Sequence, residues 1–411
     1  MLIRKTLSIL VICTFLLPGC VPGNKKSDFM RVGPPLSSSL SKSNPNEQGV
    51  LGHKPDVVIP VFDPGLPEDT DDYEKKGIWP ELRRAEANRF AYKLKDALEK
   101  TGLFGAVRVT PDRSATSDLY VLGTIDESNG EEVEIDLEVL DISGRVWLDE
   151  SFEHEVKESF HRNLRNKGKD PYDPVFEEAA ERIVQELEER ETKELDDLGY
   201  LADLRFGANF SDSAFVRYMN MEDGRIMLTG KPSEDDPMLK RVRAIRIRDQ
   251  LFVDGLQANY STFSERMNDS YSVWQKQSLL ERKAEREAKA KSRKEAVGGV
   301  LLIGLGILSA VAGGRSDSSL GEAAGAAGAI AGSLAGATLL QKSFKTSEEV
   351  KLHRETLNEL GESLDMELAP QVIGYEKETV KLTGDAKEQF AQWRAFLKKI
   401  YEQEATPDVQ L

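Results

Sequence analysis

From Glu132 to Val139 the chain alternates strictly, with Val133, Ile135, Leu137 and Val139 apolar and Glu132, Glu134, Asp136 and Glu138 acidic. Period-two alternation predicts a strand with one packed and one wet face. Asn129-Gly130 before it predicts a hairpin turn, and Ser143-Gly144 after it turns the chain into a further strand, Val146 to Phe152. Upstream, Val57 to Phe62 reads as a short strand placed at a sheet edge by Pro60. Short strands follow around Val107–Val109 and Leu119–Ile125. Helical spacing appears twice. Pro80 opens a helix whose inner face is Leu82, Ala85, Phe90, Leu94 and Leu98 and which stops at Thr101-Gly102. A second helix is expected from about Pro174 to Leu195, with Phe176, Ala179, Ile183, Val184 and Leu187 inward. The order β-α-β-β-β-β-α over 56–205 predicts a small mixed sheet with helices on one face. Asp141-x-x-Gly144 reads as a turn, and Asp69, Asp71, Asp72 and Glu74 as a solvated acidic loop whose spacing does not match a calcium loop.

The pattern then lengthens. After Pro237 no proline occurs as far as Glu295, and Gly255 is the only glycine; an unbroken helix there would reach about 85–90 Å. Phe252, Leu256, Tyr260, Phe263, Met267, Tyr271 and Trp274 follow an 11-residue repeat. Eleven residues over three turns predict a straight to slightly right-handed, coiled-coil-like seam. It is expected to pack against another helix, an aromatic ligand face being the lesser alternative. Two uncharged stretches follow, Ala296–Gly314 and the Gly/Ala-rich Ala323–Leu340. Each is near the length needed to cross about 30 Å of hydrocarbon. Gly328, Gly332 and Gly336 form a G-x-x-x-G-x-x-x-G face, Gly321 and Gly325 offer another, and Gly298 and Gly306 lie on the first limb; such faces let helices approach closely. Seven basic residues between Arg282 and Lys294 precede the tip, against Glu285 and Glu287, and suit an anionic membrane surface.

The return helix, about 347–368, carries Val350, Leu357, Leu360, Leu364 and Leu368; pairing across the tip would set Leu357 near Leu279 and Leu368 near Asn268. That limb is too short to cover Phe252 to Phe263, which then need the first domain or a neighbouring subunit. Arg225–Gly230 and Glu378–Gly384 resemble each other, either because they pair at the base of the hairpin or by chance. A terminal helix, Ala386–Glu404, presents Phe390, Trp393, Phe396, Leu397 and Ile400. The expected class is α+β: 56–205 an α/β domain, 206–235 a connecting segment with a strand, 236–368 a long helical hairpin with an inserting tip at 296–340, and 369–411 a terminal strand and helix.

Charge narrows the function. The 411 residues carry a net charge of −16, which argues against non-specific nucleic-acid binding. The four histidines are scattered and both cysteines, Cys13 and Cys20, lie in the first 20 residues. No nucleophile elbow, phosphate loop, dinucleotide fingerprint or metal-ligand spacing occurs, so neither an enzyme nor a cofactor nor a metal is expected. Convergent carboxylates among the 71 acids remain the one enzymatic alternative.

The N-terminus is an address. Arg4 and Lys5 precede an apolar run, Leu7–Leu17, too short to span a bilayer. It ends Leu17-Pro18-Gly19-Cys20, which resembles the lipobox of bacterial lipoproteins. The resemblance implies a signal peptide at 1–19, cleavage before Cys20, and fatty acylation there that anchors the chain to membrane lipid. Val21 rather than Asp after the cysteine implies transport to the outer membrane, with the body facing the periplasm. Residues 20–54 read as a flexible tether. Over 56–205, the helix ending Leu98-Glu99-Lys100-Thr101-Gly102, the strand Asp118–Gly123 and the hairpin Val139–Trp147 resemble the N-terminal domain shared by the curli-secretion lipoproteins, TolB and the penicillin-binding-protein activator lipoproteins. The basic flanks of the tip would face the cytoplasm by the positive-inside rule, whereas a lipoprotein body is periplasmic; the export signal takes precedence, and the hairpin is expected to insert from the periplasm. The competing reading buries it inside a soluble oligomer. Together these features predict a homo-oligomeric, membrane-inserting component of an envelope export or assembly machine. The alternative is a periplasmic scaffold or activator that binds an envelope protein.

Overall fold

The computed structural model describes residues 53–76, 78–299, 348–375 and 378–405. It is a mixed α+β structure. Five strands, β1 (Val57–Pro60), β2 (Val107–Thr110), β3 (Leu119–Ser128), β4 (Glu132–Asp141) and β5 (Val146–Glu155), form one sheet in the order β2-β1-β3-β4-β5. β1 runs parallel to β2 and β3, and the rest is antiparallel. After the short helix α1 (Asp71–Lys76), α2 (Pro80–Thr101) makes the crossover from β1 to β2. α3 (Asp173–Glu188) follows the sheet, and Phe90 of α2 meets Phe176 of α3 edge-on at 5.1 Å. The alternation in β4 is realised as buried Val133, Ile135, Leu137 and Val139 against an outer acidic face.

Pro60 does not mark an edge. β1 is interior, and the proline closes its C-terminal end. The Val57 and Val61 N–H groups point to β2, donating to Ala106 and Thr110. Pro60, of opposite parity, therefore turns its missing donor toward β3, where the ladder has already ended at Val58–Tyr120.

The expected helix at 174–195 is two helices, α3 and α4 (Thr192–Ala208). No glycine or proline announces the break. At the break, the Arg190 guanidinium lies 4.8 Å over the Trp147 ring of β5 and bonds Glu186 at 2.7 Å. α4 in turn sends the fully buried Arg205 to the Ile142 carbonyl at 2.6 Å. A short helix α5 (Asp212–Phe215) leads to the hairpin β6 (Met219–Glu222)–β7 (Arg225–Leu228). The end of the expected tether is fixed: His53 bonds Asp118 at 2.6 Å and its backbone N–H donates to Asp196.

The long helix α6 spans Pro237–Gly299, 63 residues, about 94 Å at 1.5 Å per residue. It runs along the β2 edge of the sheet, where the Gln257 amide donates to the Val109 carbonyl at 2.8 Å and accepts from its N–H at 2.9 Å. A side chain thereby satisfies an edge strand that would otherwise be a pairing hazard. The return helix α7 is shorter than expected, Glu348–Leu360. Gly361 ends it against the Glu81 carbonyl, 1.6 Å from where a Cβ would stand, and Arg84 bonds the Gly361 carbonyl at 2.7 Å. α7 runs opposite to α6, with His353 at Ser270 (3.0 Å) and Glu359 at Arg266 (3.4 Å). Leu357 is therefore level with Arg266–Ser270, not with Leu279, a shift of about three turns; Leu368 lies beyond the helix. Arg225–Leu228 and Glu378–Leu382 do not pair with each other: the first pairs with β6, the second is β9 and pairs with β8 (Gln371–Tyr375). The terminal helix α8 spans Ala386–Ala405.

Candidate functional site

The seam of α6 and its basic end are the features that organise the molecule. Phe252, Leu256, Tyr260, Phe263, Met267, Tyr271 and Trp274 are all buried, none more than 8% exposed. α8 covers the lower seam, which sequence patterning assigned to the first domain or a neighbouring subunit. Phe252 stacks on Trp393 at 5.3 Å and lies 6.2 Å from Phe390. The first domain covers the rest through α2 and β2, with Tyr92 bonding Ser261 at 3.1 Å and Arg89 the Ser264 carbonyl at 2.9 Å.

The upper seam is a polar joint. Arg89 of α2 is buried and reaches three ways, to Ser264, to Asn268 (2.7 Å) and to Asp170 (2.7 Å), with its guanidinium 4.9 Å over the Tyr271 ring. Asp170, just before α3, also accepts from Gln275 at 2.9 Å and lies 3.5 Å from Lys93. Burial pushes the Asp170 carboxyl up, but Arg89 and Lys93 outweigh it and hold it at about 2. One turn before Arg89, the fully buried Glu86 accepts from Ser128 (2.6 Å) and Tyr271 (2.7 Å) on one oxygen, while the second makes no hydrogen bond and lies 3.7 Å from the Arg83 guanidinium. Burial raises this carboxyl to about 7 against the pull of Arg83 and its hydrogen bonds. Gly130, at φ +85°, lets the β3–β4 turn press onto α6, where a Cβ would stand 2.4 Å from Ser278.

Between the loop 157–169 and α6 lies a cleft of about 600 Å³, lined by Arg89, Lys93, His161, Asp170, Gln275 and Lys276 among others. The loop is built on two 3-10 turns, Phe160–Arg162 and Leu164–Asn166. It holds Lys157, Arg162, Arg165, Lys167 and Lys169 against Glu158 alone. Lys283 of α6 bonds Glu158 at 2.6 Å, and Arg286 bonds Glu131. Leu164 stands at the tip, 89% exposed, the most exposed large apolar side chain among the described residues.

Of the residues singled out by sequence, the seven of the seam come together on one buried line, and Gly298 lies in the last turn of α6. Cys20, Gly306, Gly321, Gly325, Gly328, Gly332 and Gly336 lie outside the described residues, as does the tip beyond Gly299. Among the described residues no helix is long and apolar enough to cross a membrane. Asp141 serves the turn: its carboxylate accepts from the Ser143 N–H (2.8 Å) and from Trp147 Nε1 (2.9 Å). Sequence reading missed Glu86, Arg89 and Asp170. The only hint was charge at three-residue spacing, Arg83, Glu86 and Arg89, interleaved with the apolar face of α2. It also missed the basic loop, whose signal is five cations in thirteen residues of an acidic chain. Compared with family models, with curated proteins and with solved structures, the chain matches none.

Proposed function

We propose that the protein is an outer-membrane-anchored lipoprotein, facing the periplasm, that oligomerises and inserts a glycine-rich helical hairpin as a structural component of an envelope export or assembly machine. The observation that carries this reading is α6. It is a single helix locked along one side of the folded body that runs through a basic stretch directly into the first of the two uncharged stretches, 296–314 and 323–340. A rigid lever of this kind sets where that segment stands relative to the domain. The lipobox at Cys20 would supply the anchor, and the resemblance of the first domain to envelope lipoproteins supports a part in such machinery. Because the seam is covered within one chain, contacts between subunits in this reading belong to the glycine faces at 321–336. The same burial favours a second reading, a monomeric periplasmic scaffold or activator that holds an envelope partner, since no aromatic stripe of the seam is left for a neighbour.

The test is lipid labelling, membrane fractionation and detergent-solubilised size, comparing the native protein, Cys20→Ala and a variant lacking 296–340. The expected result is labelled, outer-membrane protein of ring size, unlabelled Cys20→Ala, and a lipidated monomer when the tip is removed. A native protein that is lipidated but monomeric supports the scaffold. A native protein that takes up no lipid and stays out of membranes overturns both.

A further inference from the structure

We propose that the loop 157–169 is a second membrane contact, which lays the first domain onto an anionic phospholipid surface beside the point where α6 delivers its apolar segment. The inference deepens the membrane-inserting reading and rests on it for the orientation of α6. Three observations support it. Arg162, Arg165, Lys167 and Lys169 are all exposed, and none has a carboxylate at ion-pair distance among the described residues. The loop's one acid, Glu158, is taken up by Lys283 at 2.6 Å and faces Arg286 at 3.7 Å, so the loop's own charge is left uncompensated. That same pair fastens the loop to α6 at Lys283 and Arg286, where the basic stretch of the helix begins.

Leu164 adds an apolar point. A leucine 89% exposed on a short turn has no role in the core, and it stands between Arg162, two positions before it, and Arg165, directly after it. The turn is held in shape by Asn163, which accepts from the Arg165 N–H at 3.1 Å, and by Asn166, which donates to the Phe160 carbonyl at 3.2 Å; Phe160 packs on the core behind them. An apolar side chain ringed by Lys and Arg matches the boundary of an anionic bilayer, with the leucine among acyl chains and the cations at phosphates. A chain of net charge −16 would otherwise be repelled by that surface, so a local cationic face is what orients it.

The experiment uses the mature chain from residue 20 with Cys20→Ser, so that no acyl group contributes, mixed with vesicles of phosphatidylcholine alone or of equal parts phosphatidylcholine and phosphatidylglycerol. Cosedimentation should favour the anionic vesicles by about tenfold or more, with the preference fading as salt rises. The combined variant Arg162→Gln, Arg165→Gln, Lys167→Gln, Lys169→Gln should lose most of that preference, the remainder coming from the basic stretch of α6, and Leu164→Ser should weaken it about fivefold or more. Because Cys20→Ser leaves this chain without cysteine, Leu164→Cys carrying an environment-sensitive dye gives a direct reading, a blue shift with anionic vesicles only. If the inserting tip is misassigned, binding to phosphatidylcholine vanishes while the anionic preference and its loss in the loop variant persist. If the quadruple variant, folded by circular dichroism, keeps the anionic preference, or the dye at 164 does not respond, the loop is not a membrane contact.

Discussion

Two contacts of α6, the aromatic one at Phe252 and the polar joint at Tyr271, hold the molecule together by opposite chemistries. Below, Phe252 stacks nearly parallel on Trp393, at 17° between planes, and Leu256 and Met267 are sealed beneath neighbouring elements. Above, Tyr271 and Trp274 stack in the same way at 5.3 Å, but the surroundings are titratable: the ion pairs of Asp170 with Arg89 and Lys93, and the buried carboxyl of Glu86. Burial of apolar rings stabilises without demanding one angle, and does so at any pH. A buried ion network contributes little net stability, because desolvation offsets attraction, yet it tolerates few geometries and breaks when one member is lost. The aromatic contact thus supplies adhesion and the polar joint supplies register and sensitivity to protons. A lever that must present its far end at a fixed place needs both.

The largest expected effect lies in the aromatic contact between α6 and α8. Phe252→Ala should cost about 3–5 kcal/mol of unfolding free energy, through lost burial and the cavity left between α6 and α8. Denaturant titrations at acidic and at mildly alkaline pH should show the same loss; a loss that changed with pH would break the contrast. Next comes Glu86, with the opposite signature. Its carboxyl sits at about 7, above the ordinary 4.5, so the folded state holds the proton more tightly than the unfolded chain does. The stability tied to that proton is complete below about 4.5 and is lost as pH rises through about 7. It amounts to about 3 kcal/mol at 1.36 kcal/mol per unit. Glu86→Gln keeps the group neutral, so it should match the native protein near pH 4 and exceed it by up to about 3 kcal/mol above pH 7. Asp170 works the other way. Held at about 2 against an ordinary 3.8, it contributes stability that is present above 3.8 and lost as pH falls through 2. The joint is therefore tightest between these two windows.

This contrast also explains what could be read from the sequence. The seam was legible because an 11-residue repeat of large apolar residues favours burial against a neighbouring element, and β4 because alternation fixes which face is wet. The first domain was foreseen as a cover for the seam, but the part of α8 was not, because coverage depends on partners distant in sequence. Trp393 lies beyond the return limb, and nothing in its own spacing says that it meets Phe252. The limb register failed for a related reason. Counting back from the tip assumes two helices of equal pitch and a symmetric turn, whereas α7 is positioned from its other end, by Gly361 on Glu81 and Trp79 on Asn358 at 3.0 Å. Glu86, Arg89 and Asp170 stayed invisible because a charged residue on a helix reads as solvated until its partner, in this case 81 or 185 positions away, is known.

Two smaller effects sharpen the comparison. Gly361→Ala would set a Cβ against the Glu81 carbonyl oxygen and carbon, at 1.6 and 2.4 Å. Both are backbone atoms of a packed helix and cannot step aside, so the end of α7 must lift from α2. About 1–3 kcal/mol should be lost, and hydrogen exchange should quicken in α7 while the sheet amides keep their protection. Loss of protection in the sheet as well would mean that α7 and the first domain unfold as one unit.

The smallest effect is the most specific. Tyr271→Phe removes only the hydroxyl that donates to Glu86 at 2.7 Å, leaving the ring on Trp274 and under Arg89. While Glu86 is protonated the missing bond is a neutral one, worth about 1 kcal/mol. Once Glu86 ionises, the same hydroxyl faces a buried carboxylate, and the loss should grow to about 2 kcal/mol. By linkage the carboxyl must then titrate higher still, since the removed donor was one of the groups holding it down. The stability difference between Tyr271→Phe and native protein should therefore widen between about pH 5 and pH 8. A difference that stays flat over that range would mean that Glu86 is already ionised throughout, with Arg83 and Arg89 rather than the proton balancing its charge.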